Sequence, residues 1–201
     1  MSPALYEAGY SSSSRVYERS DDQLGMTPAK YARGGADVGI AYVTVPTSLG
    51  RLLVAATERG VCRVALGASA GVLEEDLLDE FPQARVVVDR SGKLHGWVTS
   101  ILAYLDGAGS NLDLPLDIRA TAFQRRVWQE LRKIPFGQTR TYADVARRIG
   151  VPTATRAVAR ACATNPAALV IPCHRVVRSD GDLGGYRWGI ERKRALLERE
   201  A

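Results

Sequence analysis

The sequence predicts an α/β subdomain with a small antiparallel sheet plus helices, followed by a mostly helical subdomain that contains a helix-turn-helix. Three observations support this fold class. Residues 40–66 contain runs of β-branched and apolar side chains that are separated by turn residues. Apolar residues within 94–105 recur at helical spacing. Residues 141–164 contain two short helical patterns on either side of Gly150.

The α/β subdomain is expected to span residues 36–118. Glu58, Arg59 and Gly60 are predicted to form a tight turn between two strands. Pro82 ends the first helix, because a proline ring clashes with the preceding turn and lacks the amide hydrogen. The predicted strands are 40–45, 51–57, 61–66 and 84–88, and the predicted helices are 73–81 and 94–105.

The helical subdomain is expected to span residues 119–201. Thr121 and Thr141 are predicted N-caps, because a threonine hydroxyl can accept a hydrogen bond from a free amide of the first helical turn. The predicted helices are 121–133, 141–150, 153–164 and 191–200. The helix at 153–164 is rich in small side chains, which suit either tight core packing or close approach to a DNA groove.

A basic segment opens the helical subdomain. The whole chain has a formal net charge of +5, which alone is weak evidence for a nucleic-acid partner. Between residues 119 and 160, however, the only acidic residues are Glu130 and Asp144. A segment of one sign is typical of a phosphate-contacting face, although most basic runs are solvated helix surfaces. The basic residues are Arg119, Arg125, Arg126, Arg132, Lys133, Arg140, Arg147, Arg148, Arg156 and Arg160.

The composition argues against several classes of protein. No apolar run approaches the about 20 residues of a membrane-spanning helix, and no secretory signal pattern is present at the start. Cys62, Cys162 and Cys173 have no close-spaced pattern, which indicates a reducing compartment. Only His95 and His174 could add imidazole ligands, so no metal site is expected. We therefore expect a cytoplasmic protein with no membrane contact, metal or cofactor.

Cys173 and His174 form the candidate catalytic pair. The thiolate is the reactive form of cysteine, and a free thiol with a pKa of about 8.5 is only slightly ionised at neutral pH. Histidine is the side chain best suited to take that proton, here through a bridging water if the two side chains point apart. A bare Cys-His dipeptide is more often a buried structural cysteine beside an unrelated histidine, so the surrounding sequence decides.

A longer motif surrounds this pair. Its parts are PFGQTRTY at 135–142, RAV at 156–158, NP at 165–166, IPCHRVV at 171–177 and GGY at 184–186. In this order the motif resembles the signature of the O6-alkylguanine-DNA alkyltransferase family, closest to the carboxy-terminal half of Ada-type adaptive-response proteins. The resemblance covers residues 38–201. It implies a ribonuclease H-like α/β subdomain and a winged helix-turn-helix-like subdomain.

Residues 1–35 differ in composition from the rest of the chain. Their serine run at 11–14 and the segments around it resemble the last part of an AraC-type DNA-binding domain. Because Met1 falls inside that motif, we expect a partial helix-turn-helix remnant with short helices within 12–23 at most. A half-domain buries little apolar surface, so independent stability is not expected. The glycine pair at 34–35 is the predicted linker.

The alkyltransferase resemblance implies a catalytic set. Cys173 would be the alkyl acceptor, and His174 would take the thiol proton through a water molecule. Glu200 would orient the imidazole, although a solvated helix end is the plain alternative at that position. Asn165 would fix the turn between the helix and the active-site strand, and an Asn-Pro pair is also an ordinary turn former.

The same resemblance implies contacts with DNA and with the damaged base. Arg156 would fill the place of a flipped-out nucleotide, with a plain phosphate contact as the alternative. Tyr142 would push or hold the rotated phosphate. Trp188 departs from the family, many members of which carry a small residue there. Its indole would narrow the mouth of the pocket against bulky groups, unless it packs away and only stabilises its loop. The residues expected around the base are Cys162, Val176, Tyr186 and Trp188.

The implied function is direct-reversal DNA repair. The alkyl group of O6-alkylguanine, with O4-alkylthymine as a further candidate, would move irreversibly to Cys173 after base flipping from the minor-groove side. The chain would act as a methylated-DNA–protein-cysteine S-methyltransferase, once per molecule, as a monomer on double-stranded DNA. The alternatives are a transcription regulator, a silent lesion sensor, which the presence of Cys173 disfavours, and a Cys-His hydrolase, for which no oxyanion site is evident.

Overall fold

The computed structural model describes residues 38–108 and 112–201 of the chain. The predicted helix-turn-helix remnant and linker at 1–35 lie outside these residues. The described residues form a four-stranded sheet with two helices, followed by four further helices and a two-stranded sheet. This order confirms the predicted fold class, an α/β part followed by a mostly helical part.

The four-stranded sheet has the order β3-β2-β1-β4. Its strands are β1 at Gly39–Thr47, β2 at Gly50–Ala56, β3 at Val61–Gly67 and β4 at Arg85–Val88. The first three strands pair antiparallel, as predicted, whereas β4 pairs parallel with β1. The parallel pair arises because helix α1, Ala70–Glu80, carries the chain across the sheet from β3 to its far edge. The sheet is therefore mixed rather than purely antiparallel.

The core of the α/β part lies around β2 and β3. Both strands are buried along almost their whole length, and α1 packs on them through Leu73 and Leu77. Helix α2, His95–Leu105, buries Val98, Ile101, Tyr104 and Leu105 in the same core. The helix thus directs the side chain of Tyr104 towards the interior of the protein, where a hydroxyl needs a hydrogen-bond partner.

Three helices begin the second part of the chain. They are α3 at Ala122–Leu131, α4 at Tyr142–Arg148 and α5 at Thr155–Ala163. As predicted, Thr121 caps α3 and Thr141 caps α4. Each forms a reciprocal capping box, Thr121 with Gln124 and Thr141 with Asp144. Helix α5 starts two residues later than the predicted 153, because the amide of Ala154 bonds to Val151 O in a turn.

The last helix, α6, joins the two parts of the chain. It spans Ile190–Glu200. Arg192 Nε donates to Leu49 O at 2.7 Å, and Arg199 Nη1 donates to Leu105 O at 2.8 Å. Both acceptors belong to the α/β part, so α6 is held at each end against it. The final residue of α6, Glu200, is thereby carried into the interior.

Two short links place the segment before Cys173 against the sheet. Val64 N donates to Pro166 O at 3.0 Å, and Ala168 N donates to Val64 O at 2.9 Å. The backbone after α5 therefore adds to the open edge of β3. A second, two-stranded sheet pairs β5, Arg140–Thr141, with β6, Val176–Val177, in parallel.

Candidate active site

Cys173 begins a short 3-10 turn, Cys173–Arg175, that leads directly into β6. Its side chain is buried, and Asn165 Nδ2 donates to Sγ at 3.2 Å. Asn165 also binds its own turn, because Nδ2 donates to Ile171 O at 2.8 Å and Oδ1 accepts from Ala167 N at 2.9 Å. The same amide therefore folds the loop between α5 and Cys173 and contacts the thiol.

His174 is completely buried beside the end of α6. Its Nε2 lies 2.8 Å from Glu200 Oε1. Its Nδ1 is buried and makes no hydrogen bond with any described residue. Since the carboxylate can only accept, Nε2 carries the hydrogen and the lone pair of the neutral ring is on Nδ1. The imidazole thus has one nitrogen anchored and the other free to receive a proton.

Glu200 is the centre of a buried polar cluster, which we define as Tyr104, Cys173, His174, Arg175 and Glu200. Arg175 Nε donates to Glu200 Oε2 at 2.8 Å and Nη2 donates to Oε1 at 3.1 Å. Tyr104 Oη also donates to Glu200 Oε1. Arg175 further donates to Ile134 O at 2.6 Å, so its role is that of a structural ion-pair partner.

Gly137 allows the end of α6 to come this close. It lies in the left-handed region with φ +73°, and its amide is 3.4 Å from Glu200 Oε2. A Cβ at this position would lie 2.8 Å from Glu200 O, which is shorter than real contacts of that kind. The Pro-Phe-Gly motif therefore supports the polar cluster through the backbone.

The ionisation of the cluster follows from burial and from its hydrogen bonds. Burial opposes the charge of Glu200, but hydrogen bonds from His174, Arg175 and Tyr104 outweigh it and lower its pKa to about 2. Burial lowers the pKa of His174, and Glu200 opposes that shift in part. Burial raises the pKa of Cys173 to about 11, with the Asn165 hydrogen bond and the charge of Lys193 acting in the other direction. The resting pair is thus a thiol and a neutral imidazole.

Three further predicted residues lie near the thiol. Burial raises the pKa of Tyr142 to about 12, and the neighbouring thiols of Cys162 and Cys173 add to the shift. Gly184 provides room for that tyrosine, since a Cβ there would lie 3.1 Å from Tyr142 Oη. Tyr186 has a buried hydroxyl without a described hydrogen-bond partner, and its ring lies 6.5 Å from that of His174.

Trp188 packs against Tyr186. Its ring is nearly buried, and its centroid lies 5.1 Å from that of Tyr186 at a steep interplanar angle of 68°. The guanidinium carbon of Arg187 lies over the indole ring, 5.9 Å from its centroid. The contact with Tyr186 agrees with a place beside the pocket, but its effect on bulky substrates stays a prediction.

Arg156 lies apart from the buried cluster. It is exposed near the start of α5, while Val158, Ala161 and Cys162 of the same helix are buried. Arg156 forms no hydrogen bond or ion pair with the described residues. Since Asn165 follows α5 by two residues, this helix links an exposed arginine to the loop that holds Cys173.

Two buried polar residues of this site were not identified from the sequence. Lys193 is fully buried, and its Nζ donates to Val176 O and Leu183 O. Its spacing three residues before Leu196 places it on the buried face of α6, which is the signal that could have revealed it. Tyr104 has the same spacing after Ile101 in α2.

Two family models match the chain. A model described as "6-O-methylguanine DNA methyltransferase, ribonuclease-like domain" matches residues 40–118. A second, described as the DNA binding domain of the same methyltransferase, matches residues 122–201. The inducible methylated-DNA–protein-cysteine methyltransferase of Bacillus subtilis is 38% identical, over 73% of this chain and 82% of that protein. The chain belongs to the 6-O-methylguanine DNA methyltransferase family.

Within this family the chain resembles an Ada protein and solved methyltransferase structures. It is 47% identical to the "Bifunctional transcriptional activator/DNA repair enzyme Ada" of Escherichia coli, over 98% of this chain and 56% of that protein. The chain thus spans little more than half the length of that relative. A crystal structure of Mycobacterium tuberculosis OGT in complex with DNA has a TM-score of 0.68 and 38% identity, covering 80% of this chain and 92% of that one.

Within residues 38–108 and 112–201, no group of three or more His, Cys, Asp or Glu side chains is arranged to hold a metal ion. The same part of the chain contains no helix with the length and apolar character needed to cross a membrane. The three cysteines of the sequence are all free and buried.

Proposed function

We propose that this chain repairs DNA by transferring the alkyl group of O6-alkylguanine to Cys173. The observation that carries the proposal is the arrangement of Cys173, His174 and Glu200, in which a buried thiol precedes an imidazole anchored at Nε2. Family membership and the likeness to a methyltransferase structure with bound DNA support the substrate class. O4-alkylthymine offers the same alkoxy group and is a second substrate to test.

The reaction begins with removal of the thiol proton. Because Cys173 and His174 are both neutral at rest, the proton must leave as the substrate is attacked, and His174 Nδ1 is the acceptor through a water molecule. Glu200 then stabilises the imidazolium through its bond to Nε2. Asn165 Nδ2, 3.2 Å from Sγ, stabilises the developing thiolate.

In the transfer step, the sulfur of Cys173 forms a bond to the alkyl carbon while the bond from that carbon to O6 breaks. The electron pair of the broken bond stays on the purine. An equivalent proton returns to the purine, so the products are guanine and an S-alkyl cysteine. Water does not hydrolyse the carbon–sulfur bond of a thioether, so Cys173 is not regenerated and each molecule acts once.

The burial of Cys173 requires the damaged base to leave the duplex. A target atom inside the base stack cannot reach a sulfur whose residue is only 4% exposed, so the nucleotide must rotate into the pocket. The exposed guanidinium of Arg156 at the start of α5 suits a role in filling the gap. Tyr142, at the start of α4 and close to both pocket thiols, suits a contact with the rotated nucleotide.

Val176, Cys162 and Tyr186 would line the base pocket, with Trp188 beside Tyr186 at its mouth. Contacts to phosphate would dominate DNA affinity, so binding should weaken with salt and show little sequence preference. A monomeric state and a cytoplasmic location remain predictions. The activator function in the name of the Ada relative is not part of this proposal, because the chain spans 56% of that protein.

The test compares Cys173→Ser with the same change at Cys62, an equally buried thiol in β3. We expect Cys173→Ser to abolish loss of O6-methylguanine from a duplex while binding of that duplex is retained. Cys62→Ser should still remove the lesion. Lesion removal by folded Cys173→Ser protein would refute the proposal.

A further inference from the structure

Tyr104 lies where the α/β part of the chain meets the catalytic residues. It is the second-last residue of α2, and its side chain is 6% exposed. Its Oη donates to Glu200 Oε1 and lies 3.3 Å from His174 Nε2. Burial raises the pKa of Tyr104, and the Glu200 hydrogen bond adds to the shift, so the hydroxyl stays protonated and acts as a donor.

Glu200 Oε1 is crowded with donors. Besides Tyr104 Oη, it faces His174 Nε2 at 2.8 Å and Arg175 Nη2 at 3.1 Å. A carboxylate oxygen has two lone pairs, so three donors share what two would fill. The strength of the bond to His174 therefore depends on how much of the oxygen the tyrosine already occupies.

Neighbouring contacts fix the hydroxyl in this place. Tyr104 of α2 donates to Glu200 of α6. The next residue of α2, Leu105, accepts through its carbonyl oxygen from Arg199 Nη1 of α6 at 2.8 Å. The ring of Tyr104 meets that of Phe136 edge to face, with centroids 6.2 Å apart. The hydroxyl has little freedom to turn to another partner.

We propose that Tyr104 is a positioning residue for alkyl transfer. Its hydroxyl holds the Glu200 carboxylate in place and limits how strongly that carboxylate stabilises the imidazolium of His174. The inference rests on the proposed transfer to Cys173. It assigns the α/β part of the chain a role in the chemistry in addition to its role as a scaffold. Tyr104 does not contact the thiol in this arrangement and acts through Glu200.

The expected effect of removing the hydroxyl has a definite sign. Without the Tyr104 donor, Glu200 becomes more basic and stabilises the imidazolium of His174 better, so the pKa of His174 rises. The ring must be neutral to receive the thiol proton. As the pH is lowered, activity is therefore lost at a higher pH than in the unmodified protein. The charged or titratable groups around this pair are Arg175 beside Glu200, Lys193 and Tyr186 from the carboxy-terminal part, and Cys173.

The main experiment measures single-turnover methyl transfer from duplex DNA as a function of pH for Tyr104→Phe, which keeps the ring. We expect the acidic limb of the profile to move to higher pH by about one unit, the size of shift that loss of one charge-assisted hydrogen bond produces. One control should leave the limb in place. Tyr42→Phe removes a hydroxyl from β1, in the same α/β part of the chain.

A second substitution keeps the test valid if the phenylalanine variant fails to fold. Site-specific 3-fluorotyrosine at position 104 retains the shape but is a more acidic, stronger donor, so the limb should move to lower pH. An unmoved limb in a folded variant, or the same shift in Tyr42→Phe, would overturn the role of Tyr104. Absence of transfer by the unmodified protein would instead refute the proposed function.

Discussion

The buried polar cluster and the exposed arginines of α5 are held in opposite ways. Glu200 receives hydrogen bonds from Tyr104, Arg175 and His174, all of them buried. Arg156 is exposed and bonds to no described residue. A change in the cluster should therefore alter stability and chemistry together. A change at Arg156 should alter only what the protein does to duplex DNA.

The largest effect is expected from Glu200→Gln. The substitution removes the charge that balances the buried Arg175 guanidinium, which is 2% exposed. Breaking such a pair from one side costs about 3 to 5 kcal/mol of unfolding free energy, measurable by urea denaturation. Glu198→Gln, an exposed residue of the same helix, is the matched control. Equal stability of the two variants would show that the cluster does not support the fold.

Acid should destabilise the protein through the same cluster. The pKa of Glu200 falls from an ordinary 4.5 to about 2 on folding, and that of His174 falls below its ordinary 6.5. For both groups the unfolded chain binds protons more readily, so stability decreases as pH falls below about 6.5 and again below about 4.5. Glu200 alone contributes on the order of 3 kcal/mol. In Glu200→Gln, the step below about pH 4.5 should disappear from urea midpoints measured against pH. The step below about pH 6.5 should remain and grow, because Glu200 no longer opposes the fall in the pKa of His174.

A smaller effect is expected from Lys193→Met. The change leaves Val176 O and Leu183 O without their buried donor, at a cost of about 1 to 3 kcal/mol. It also removes a positive charge that lowers the pKa of Cys173, so transfer should slow by about tenfold. Arg194→Met changes an exposed neighbour on α6 and should alter neither property. Unchanged transfer in folded Lys193→Met would limit this lysine to a structural role.

Arg156→Ala changes an exposed residue outside the buried polar cluster. We expect repair of a methylated duplex to slow by about tenfold or more, because filling the vacated stack offsets an unstacking cost of a few kcal/mol. Reaction with free O6-methylguanine base should be unchanged, and so should the urea midpoint. Arg85→Ala, on exposed β4, controls for lost positive charge. Equal losses on duplex and free base would remove the flipping role from Arg156.

The smallest effect, a few-fold change in rate, is expected at Trp188. Its indole packs on Tyr186, and we expect it to occupy room that a benzyl group needs. Trp188→Gly should react faster with O6-benzylguanine and at a similar rate with methylated DNA, when both proteins are shown to be folded by circular dichroism. If the unmodified protein already consumes the benzyl compound as quickly as methylated DNA, the steric prediction is wrong.

Local patterns in the sequence predicted most of the fold. Thr121 and Thr141 were identified as caps because a cap needs only a hydroxyl before a helical pattern. The parallel pairing of β4 with β1 was not predicted, since alternation identifies a strand but not its neighbour. The catalytic candidates came from the motif around Cys173. Tyr104 and Lys193 were missed because their partners lie in other elements, up to 96 residues away for Tyr104.

The central proposal is that Cys173 receives the alkyl group once. The most direct test is intact and peptide mass spectrometry after incubation with an excess of duplex DNA containing O6-methylguanine. We expect every active molecule to gain the mass of one methyl substitution, located on the peptide with Cys173, and the amount of repaired lesion to equal the amount of protein. A methyl group on Cys62 or Cys162, or repair of many lesions per molecule without a gain in mass, would contradict the proposal.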